Sequence, residues 1–343
     1  MNESAINCTI DHDLDMYMFP TIYIIVIAIG VPINCVSLYV SYQQVKKKNE
    51  LGIYLFNLSF SDLLYTMTLT LWVDFSLHHD NWRFPDWVCS LSAFFMHTNL
   101  YSSAGFLTCI SLDRYLAVVF PLKFSRLRTR RTALGISLIV WLIQSASKLI
   151  ILVHKETFVV SRDVRCYYIF PMEKWKSTFS IINVCFGHFV PLTIMIFCYC
   201  KIYAAVKSNQ ATASGDKKKI KQLLFTIVVT FIITFTPYHV VLLMRSIWEP
   251  GNCLFAKKMF SPYKITLALS SLNCIADPLL YCFVSETGRA DLKSIARCFT
   301  QYSEASAENA PPGKNKYAMC EISGRDNTEK GTDFILSKND QTY

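Results

Sequence analysis

Seven apolar runs, each long enough to cross a bilayer, constrain this chain more than any other feature. They lie at about 18–43, 51–77, 88–119, 132–153, 177–206, 219–247 and 262–284. A helix needs roughly 20 residues to cross about 30 Å of hydrocarbon. Of the 343 residues, 52% are hydrophobic and only 17% charged, where a soluble domain carries roughly a quarter charged residues. Lipid is the natural solvent of such a chain, and the runs predict an all-α, seven-transmembrane helix bundle. The formal net charge is +9. The basic residues cluster between the runs, so nucleic-acid binding does not explain it.

The expected organisation is an outside N-terminus at 1–17, the bundle at 18–284, a short amphipathic surface helix at 285–299 and a disordered tail at 300–343. In the surface helix Leu292, Ile295, Ala296 and Phe299 oppose Arg289, Asp291, Lys293 and Arg297, the pattern of a helix lying in the interface. The tail offers Ser303, Ser306, Ser323, Thr328 and Thr332 to kinases, although ordinary disordered polar residues look the same. Lys46, Lys47 and Lys48, then Lys123, Arg126, Arg128, Arg130 and Arg131, then Lys201, Lys207, Lys217, Lys218, Lys219 and Lys221 fall in alternate loops. Excess Lys and Arg mark the cytoplasmic side, so the N-terminus is expected outside, in a multi-pass protein of the plasma membrane. Met1 to Asp15 has neither a basic n-region nor an apolar h-region, so the first run is expected to serve as an uncleaved anchor. Asn2 and Asn7 open glycosylation sequons, a triplet also common by chance. Most of the thirteen cysteines lie inside apolar runs and read as buried thiols. Cys8, Cys89, Cys166 and Cys253 fall in outside segments, where disulfides form.

A charge inside lipid is costly, which makes it a functional candidate. Asp62 sits in the middle of the second run, Asp113-Arg114-Tyr115 closes the third and Asp277 lies near the end of the seventh. One such group alone is explained by a polar contact between helices; three together are not. Pro191, Pro237 and Pro278 remove backbone hydrogen bonds from the fifth, sixth and seventh runs and leave deformable points there.

With these residues the chain resembles the rhodopsin-like, G-protein-coupled receptors over about 18–299. Asn34, Asp62, Asp113-Arg114-Tyr115, Trp141, Pro191, Tyr199, Phe235-Thr-Pro237 and Asp277-Pro278-Leu-Leu-Tyr281 stand in family order, with a landmark in each helix. The resemblance implies a non-enzymatic receptor whose partner is a heterotrimeric G protein, with receptor kinases and arrestin acting on the phosphorylated tail. It implies a disulfide between Cys89 and Cys166 and palmitoylation of Cys298. In the activation switch it implies, Arg114 pairs with Asp113 at rest and leaves it on activation. Tyr199 and Tyr281 then swing in, with Tyr115, Phe235, Pro237 and Pro278 part of the moving set. Two positions depart from the family: Phe235 replaces a common Trp and Asp277 a common Asn.

Asp277 narrows the resemblance. In relatives Asp62, Asn99, Ser103, Asn273 and the residue at 277 enclose a sodium ion; the chain otherwise implies no cofactor. Two carboxylates suit a hard cation, and they also share a proton, because both do not ionise cheaply. The site therefore takes either a cation or a proton. Further stretches are similar to the proton-sensing receptors, a group that includes the psychosine receptor and the ovarian-cancer receptor. They include Asn49-Glu-Leu-Gly-Ile-Tyr54, Leu77-His-His-Asp-Asn-Trp82, Pro237-Tyr-His239 and Leu272-Asn-Cys-Ile-Ala-Asp-Pro278. That group senses acid with outer histidines, so protons are the expected agonist and His12, His78, His79, His154 and His239 the candidates. Imidazole titrates near pH 6.5, and the new charges are expected to repel Lys155, Arg162, Arg165, Lys257 or Lys258. Cys8 and Cys253 match an N-terminal bridge of some members; the alternative is free thiols. Gln144 replaces the group's buried Glu, Met16 and Lys264 replace histidines, and Thr70 replaces a proline.

The alternative is a receptor for a lysolipid or other small lipid. Lys148, Lys264 and Arg245 would then hold its anionic head group, and pH would only modulate binding. A retinal pump needs a lysine midway along the seventh helix, and a membrane metalloenzyme needs ligand spacing that His97, His188 and His239 lack.

Overall fold

The computed structural model describes residues 13–153, 156–160, 163–167, 170–208 and 215–284. Helices α1 (Asp13–Lys46), α2 (Leu51–Leu77), α3 (Asp86–Val119) and α4 (Arg130–Val153) come first. A hairpin of β1 (Thr157–Val160) and β2 (Asp163–Cys166) follows, with Thr157 opposite Cys166. Helix α5 (Lys174–Val184) runs through a π turn at Cys185–Phe189 into α6 (Val190–Ser208). Helix α7 (Gly215–Trp248) is next, and α8 (Cys253–Ser271) meets α9 (Asn273–Val284) end to end. The described helices thus form seven rods, each run falling on one of them. The first rod begins at Asp13, inside the segment assigned to the N-terminus, and the last begins nine residues ahead of its run.

Among the described residues, four stretches are apolar enough by themselves to cross a membrane: Met16–Lys46, Arg130–Val153, Lys174–Ser208 and Lys217–Trp248. The other three rods are the more polar because they face one another. Ser59, Ser61 and Asp62 of α2, Asn99, Ser102 and Ser103 of α3, and Ser270 and Ser271 of α8 are all buried. The Oγ atoms of Ser61 and Ser102 lie 2.7 Å apart, and Ser59 donates to Ser37 at 2.6 Å. In lipid such hydrogen bonds draw helices together where apolar surface does not. The outward face is the reverse: Leu134, Leu138, Leu142 and Ile143 of α4 are exposed.

Two prolines explain the irregular rods. Pro278 has no N–H to give the carbonyl of Cys274, four residues back. The Asn34 amide takes that oxygen at 2.6 Å and the Gly30 carbonyl at 2.9 Å, clamping α1 to α9. Pro191 would drive its ring into the backbone one turn earlier. There the π turn widens the helix, and the N–H of Val190 reaches back to Cys185. The turn also brings Gly187 against Tyr101: a Cβ at 187 would stand 2.7 Å from Tyr101 Cε1 and closer still to Cδ1. Gly187→Ala is therefore expected to cost about 1–3 kcal/mol, read as a lower melting temperature of the purified receptor, with Gly135→Ala, which meets open space, as the control.

The hairpin roofs one end of the bundle. Cys166 is bonded to Cys89 of α3 with their Cα atoms 5.8 Å apart. The Trp82 N–H donates to Val164 at 2.6 Å, and the Val164 N–H donates to the Asn81 side chain at 3.0 Å. The Trp82 ring closes an aromatic cluster with Trp72, Phe75 and Phe84.

Candidate functional site

Three polar layers follow one another down the bundle, beginning under the hairpin. There a cavity is lined by His97 and Tyr101 of α3, Phe179, Ser180 and Asn183 of α5, Tyr238, Leu242 and Arg245 of α7, and Tyr263 of α8, with Tyr167, Met172 and Lys176. Its cations are held from behind. Lys176 pairs with Glu156 at 2.6 Å. Arg245 grips Glu249 with two bonds of 2.5 and 2.8 Å, and its guanidinium lies 4.0 Å from the Tyr263 ring centre. His97 is a satisfied neutral ring: Nδ1–H donates to the Ala93 carbonyl at 3.0 Å, and the Tyr167 hydroxyl meets Nε2 at 2.8 Å. Burial holds the Tyr167 phenol well above the ordinary tyrosine value, so it stays a donor to that nitrogen.

Beneath the cavity, His239 gives Nδ1–H to the Phe235 carbonyl at 2.8 Å. Its ring stacks on His188 with centroids 4.2 Å apart and planes 9° from parallel. The π turn is what carries His188 inward, where both of its nitrogens and Nε2 of His239 are buried without partners. Phe231 covers the other face of His188 at 5.3 Å and stacks on Phe235 at 4.8 Å.

The second layer is the acid pair. Asp62 and Asp277 are almost fully buried. Asp62 Oδ1 accepts from Asn99 at 2.8 Å and from Ser103 at 3.4 Å. Its Oδ2, Oδ2 of Asp277 and the Asn273 amide nitrogen find no partner among the described residues. Hard oxygen donors with lone pairs to spare fit a sodium ion, and they fit a proton equally well.

At the far end, Asp113 binds Arg114 through Nε at 2.9 Å and through Nη2. Arg128, from the α3–α4 connection, donates to the other Asp113 oxygen at 3.1 Å and to Glu50 at 2.7 Å. Glu50 also lies 3.9 Å from Arg114. Tyr115 packs on Phe120 and Phe197, and Tyr199 on Tyr203 and Phe225.

The other sequence candidates divide. His12, His154, Asn2, Asn7, Cys8, Cys298 and the Tyr281 side chain lie outside the described residues. Cys253 is disulfide-bonded. His78 and His79 follow α2. The basic neighbour expected for a protonated outer histidine is not what His78 has: its Nδ1 lies 3.5 Å from the Asp74 carboxylate. Protonation there attracts. Arg165 does approach His79, donating to its backbone carbonyl at 2.9 Å. Gln144 is half-buried and its side chain bonds to neither Asp62 nor Asp277. Lys148, Lys264 and Arg245 form no common anion cluster, since Lys264 faces Asp80 at 3.5 Å and Arg245 is spent on Glu249. Glu50, Arg128, His188, Glu156 and Glu249 escaped the sequence reading. The partners of Glu50, Arg128 and Glu156 lie 15 to 78 residues away, Glu249 meets Arg245 one helical turn earlier, and the placing of His188 depends on an irregular turn that apolar periodicity does not signal.

Residues 33–281 match the family described as 7 transmembrane receptor (rhodopsin family). The chain belongs to that family, whose members are multi-pass membrane receptors rather than enzymes. It is 48% identical to G-protein coupled receptor 65 of Homo sapiens over 300 residues, covering 84% of this chain and 89% of that protein. It is 40% identical to G-protein coupled receptor 68 of Homo sapiens over 292 residues, covering 85% and 80%. Lysophosphatidic acid receptor 6 of Mus musculus is 29% identical over 318 residues, covering 89% and 92%.

Proposed function

We propose that this receptor sits in the plasma membrane with its N-terminus outside, couples to heterotrimeric G proteins and is activated by extracellular acid. The observation that carries the reading is the buried pair, Asp62 and Asp277, each with an oxygen that has no hydrogen-bond partner among the described residues. A proton taken up there displaces a cation and turns one carboxylate into a neutral carboxyl in the middle of the bundle, next to the deformable point at Pro278. The printed names of the relatives support G-protein coupling, and the basic segment Lys217-Lys-Lys219 suits an acidic partner surface. His78, His79 and His239, with His12 and His154, are further candidate proton acceptors. Tail phosphorylation recruits arrestin through receptor kinases. Palmitoyl at Cys298, sugars at Asn2 and Asn7, and a Cys8–Cys253 bridge complete the proposal.

The sign follows from linkage. If the active packing binds protons more tightly, signal is present at low pH and is lost as pH rises. The test steps outside pH from about 8 to about 6, the window centred on imidazole, and records cyclic AMP and inositol phosphate. Cells expressing the receptor in lipid-free medium are expected to respond, whereas untransfected cells and an Arg114→Ala receptor stay flat. A response that requires added lipid would replace the proton by a lipid as agonist.

A further inference from the structure

Charge bookkeeping around the cavity under the hairpin leaves one ion over. Three cations border it: Lys176 and Arg245 in its wall, and Lys148 immediately behind. Two carboxylates answer them, Glu156 for Lys176 and Glu249 for Arg245. Among the described residues Lys148 has neither. It is completely buried on α4, and within that set its ammonium donates only to Asn183 Oδ1 and, at 3.2 Å, to the Ser147 hydroxyl. Asn183 is a neutral dipole, pinned by its own bond to the Phe179 carbonyl at 2.7 Å. The ammonium also lies 4.3 Å from the Tyr101 ring centre and 5.2 Å from that of Phe179. Tyr101, Phe179 and Asn183 all line the cavity, and no Asp or Glu does. A buried ammonium without a counter-charge is costly, and here the space beside it is walled by the phenols of Tyr101, Tyr238 and Tyr263, whose hydroxyls bond to oxygen anions.

We propose that this cavity binds a small organic anion carrying a single negative charge on an aromatic or apolar body, with Lys148 as its counter-ion. The single charge matches the single unanswered cation. Arg245, the residue shaped to fork a phosphate or a second carboxylate oxygen, already has its charge answered by Glu249, which it holds through Nε and Nη2. The aromatic walls accept the body of the ligand, and rotation of the Asn183 amide opens the way to the ammonium. This assignment rests on the charges around the cavity and not on proton activation, so either idea stands if the other fails.

Purified full-length receptor in lipid nanodiscs, held at one pH, is melted with phenylacetate, with its neutral isostere phenylacetamide, and with phenyl phosphate. Phenylacetate is expected to raise the melting temperature in a concentration-dependent way, the amide at least about tenfold more weakly, since a charge-assisted bond is lost. Lys148→Met is expected to melt higher than the parent without ligand and to lose the phenylacetate shift, while Lys148→Arg keeps it. The higher melting point shows that Lys148→Met still folds. The proposal is overturned if the amide matches the acid, if Lys148→Met retains the shift, or if phenyl phosphate outperforms phenylacetate. It is equally overturned if phenylacetate gives no shift by about 10 mM, ten times a Kd of about 1 mM.

Discussion

Asp277→Asn is expected to flatten the response of the receptor to outside pH and to raise its signal at pH 8. Asn imitates a carboxyl group that has taken its proton, so the variant starts part-way along the switch. It also removes one of two groups that titrate together. A switch driven by one proton changes its equilibrium at most about tenfold per pH unit, and one driven by two at most about a hundredfold. The slope should therefore fall toward the one-proton limit, and the double variant Asp62→Asn with Asp277→Asn should be nearly flat between pH 8 and 6. Cyclic AMP or inositol phosphate, normalised to receptor at the cell surface, measures both. Sodium gives a second reading of the same site. If the cation competes with the proton, exchanging outside sodium for choline moves the parent's half-activation to higher pH and leaves Asp277→Asn unmoved. An unchanged slope in the double variant would transfer acid sensing from the buried pair to the histidines. Gln144→Glu should steepen the parent curve only if a third acid on α4 reaches the pair, and the structure gives Gln144 no bond to it.

Arg128→Ala should raise signalling without agonist. Arg128 fastens Asp113 to Glu50, and so ties the α3–α4 connection and the start of α2 to Asp113, from which Arg114 is released in the activation switch that we propose. The side chains of Arg128 and Glu50 are 22% and 17% exposed, so water screens the ties in part. A loss of about 1 kcal/mol of resting-state stability multiplies the active fraction about fivefold while that fraction is small. Glu50→Gln should act in the same direction and less strongly, because Asp113 keeps both arginines. Basal inositol phosphate at pH 8, where protons contribute least, is the measurement. A fall instead of a rise would mean that Asp113 holds Arg114 more firmly once Arg128 is gone, and would end the description of Arg128 as part of the resting lock.

The sequence carried the seven rods because lipid imposes length and apolarity on each of them separately. Where it misplaced an end, local chemistry hid the boundary. The last rod starts at Cys253, and Lys257, Lys258 and Pro262 in its first turns interrupt the apolar run without interrupting the helix. The π turn was equally hidden, since Cys185, Phe186 and Phe189 read as continuing helix; Pro191 was the only local hint. Asp62, Asn99, Ser103 and Asp113 were legible because a polar group inside an apolar run is conspicuous. Glu50 and Arg128 were not, because a charge in a loop looks solvated until its partner 78 residues away is known. Glu249 closes one of the three suspected head-group cations, Arg245, into an ion pair, and Glu156 does the same for Lys176 beside it.

The roof of hairpin and ties has a kinetic meaning. Cys166 is held covalently to α3, Val164 to the α2–α3 connection through Trp82 and Asn81, Arg165 to the carbonyls of His79 and Asp80, and Glu156 to Lys176 of α5. No single bond releases it. A displacement of the hairpin that widens the space below needs several of these ties to part together, an event of the microsecond-to-millisecond range or slower. A ligand large enough to require that displacement would come and go slowly even with a modest dissociation constant.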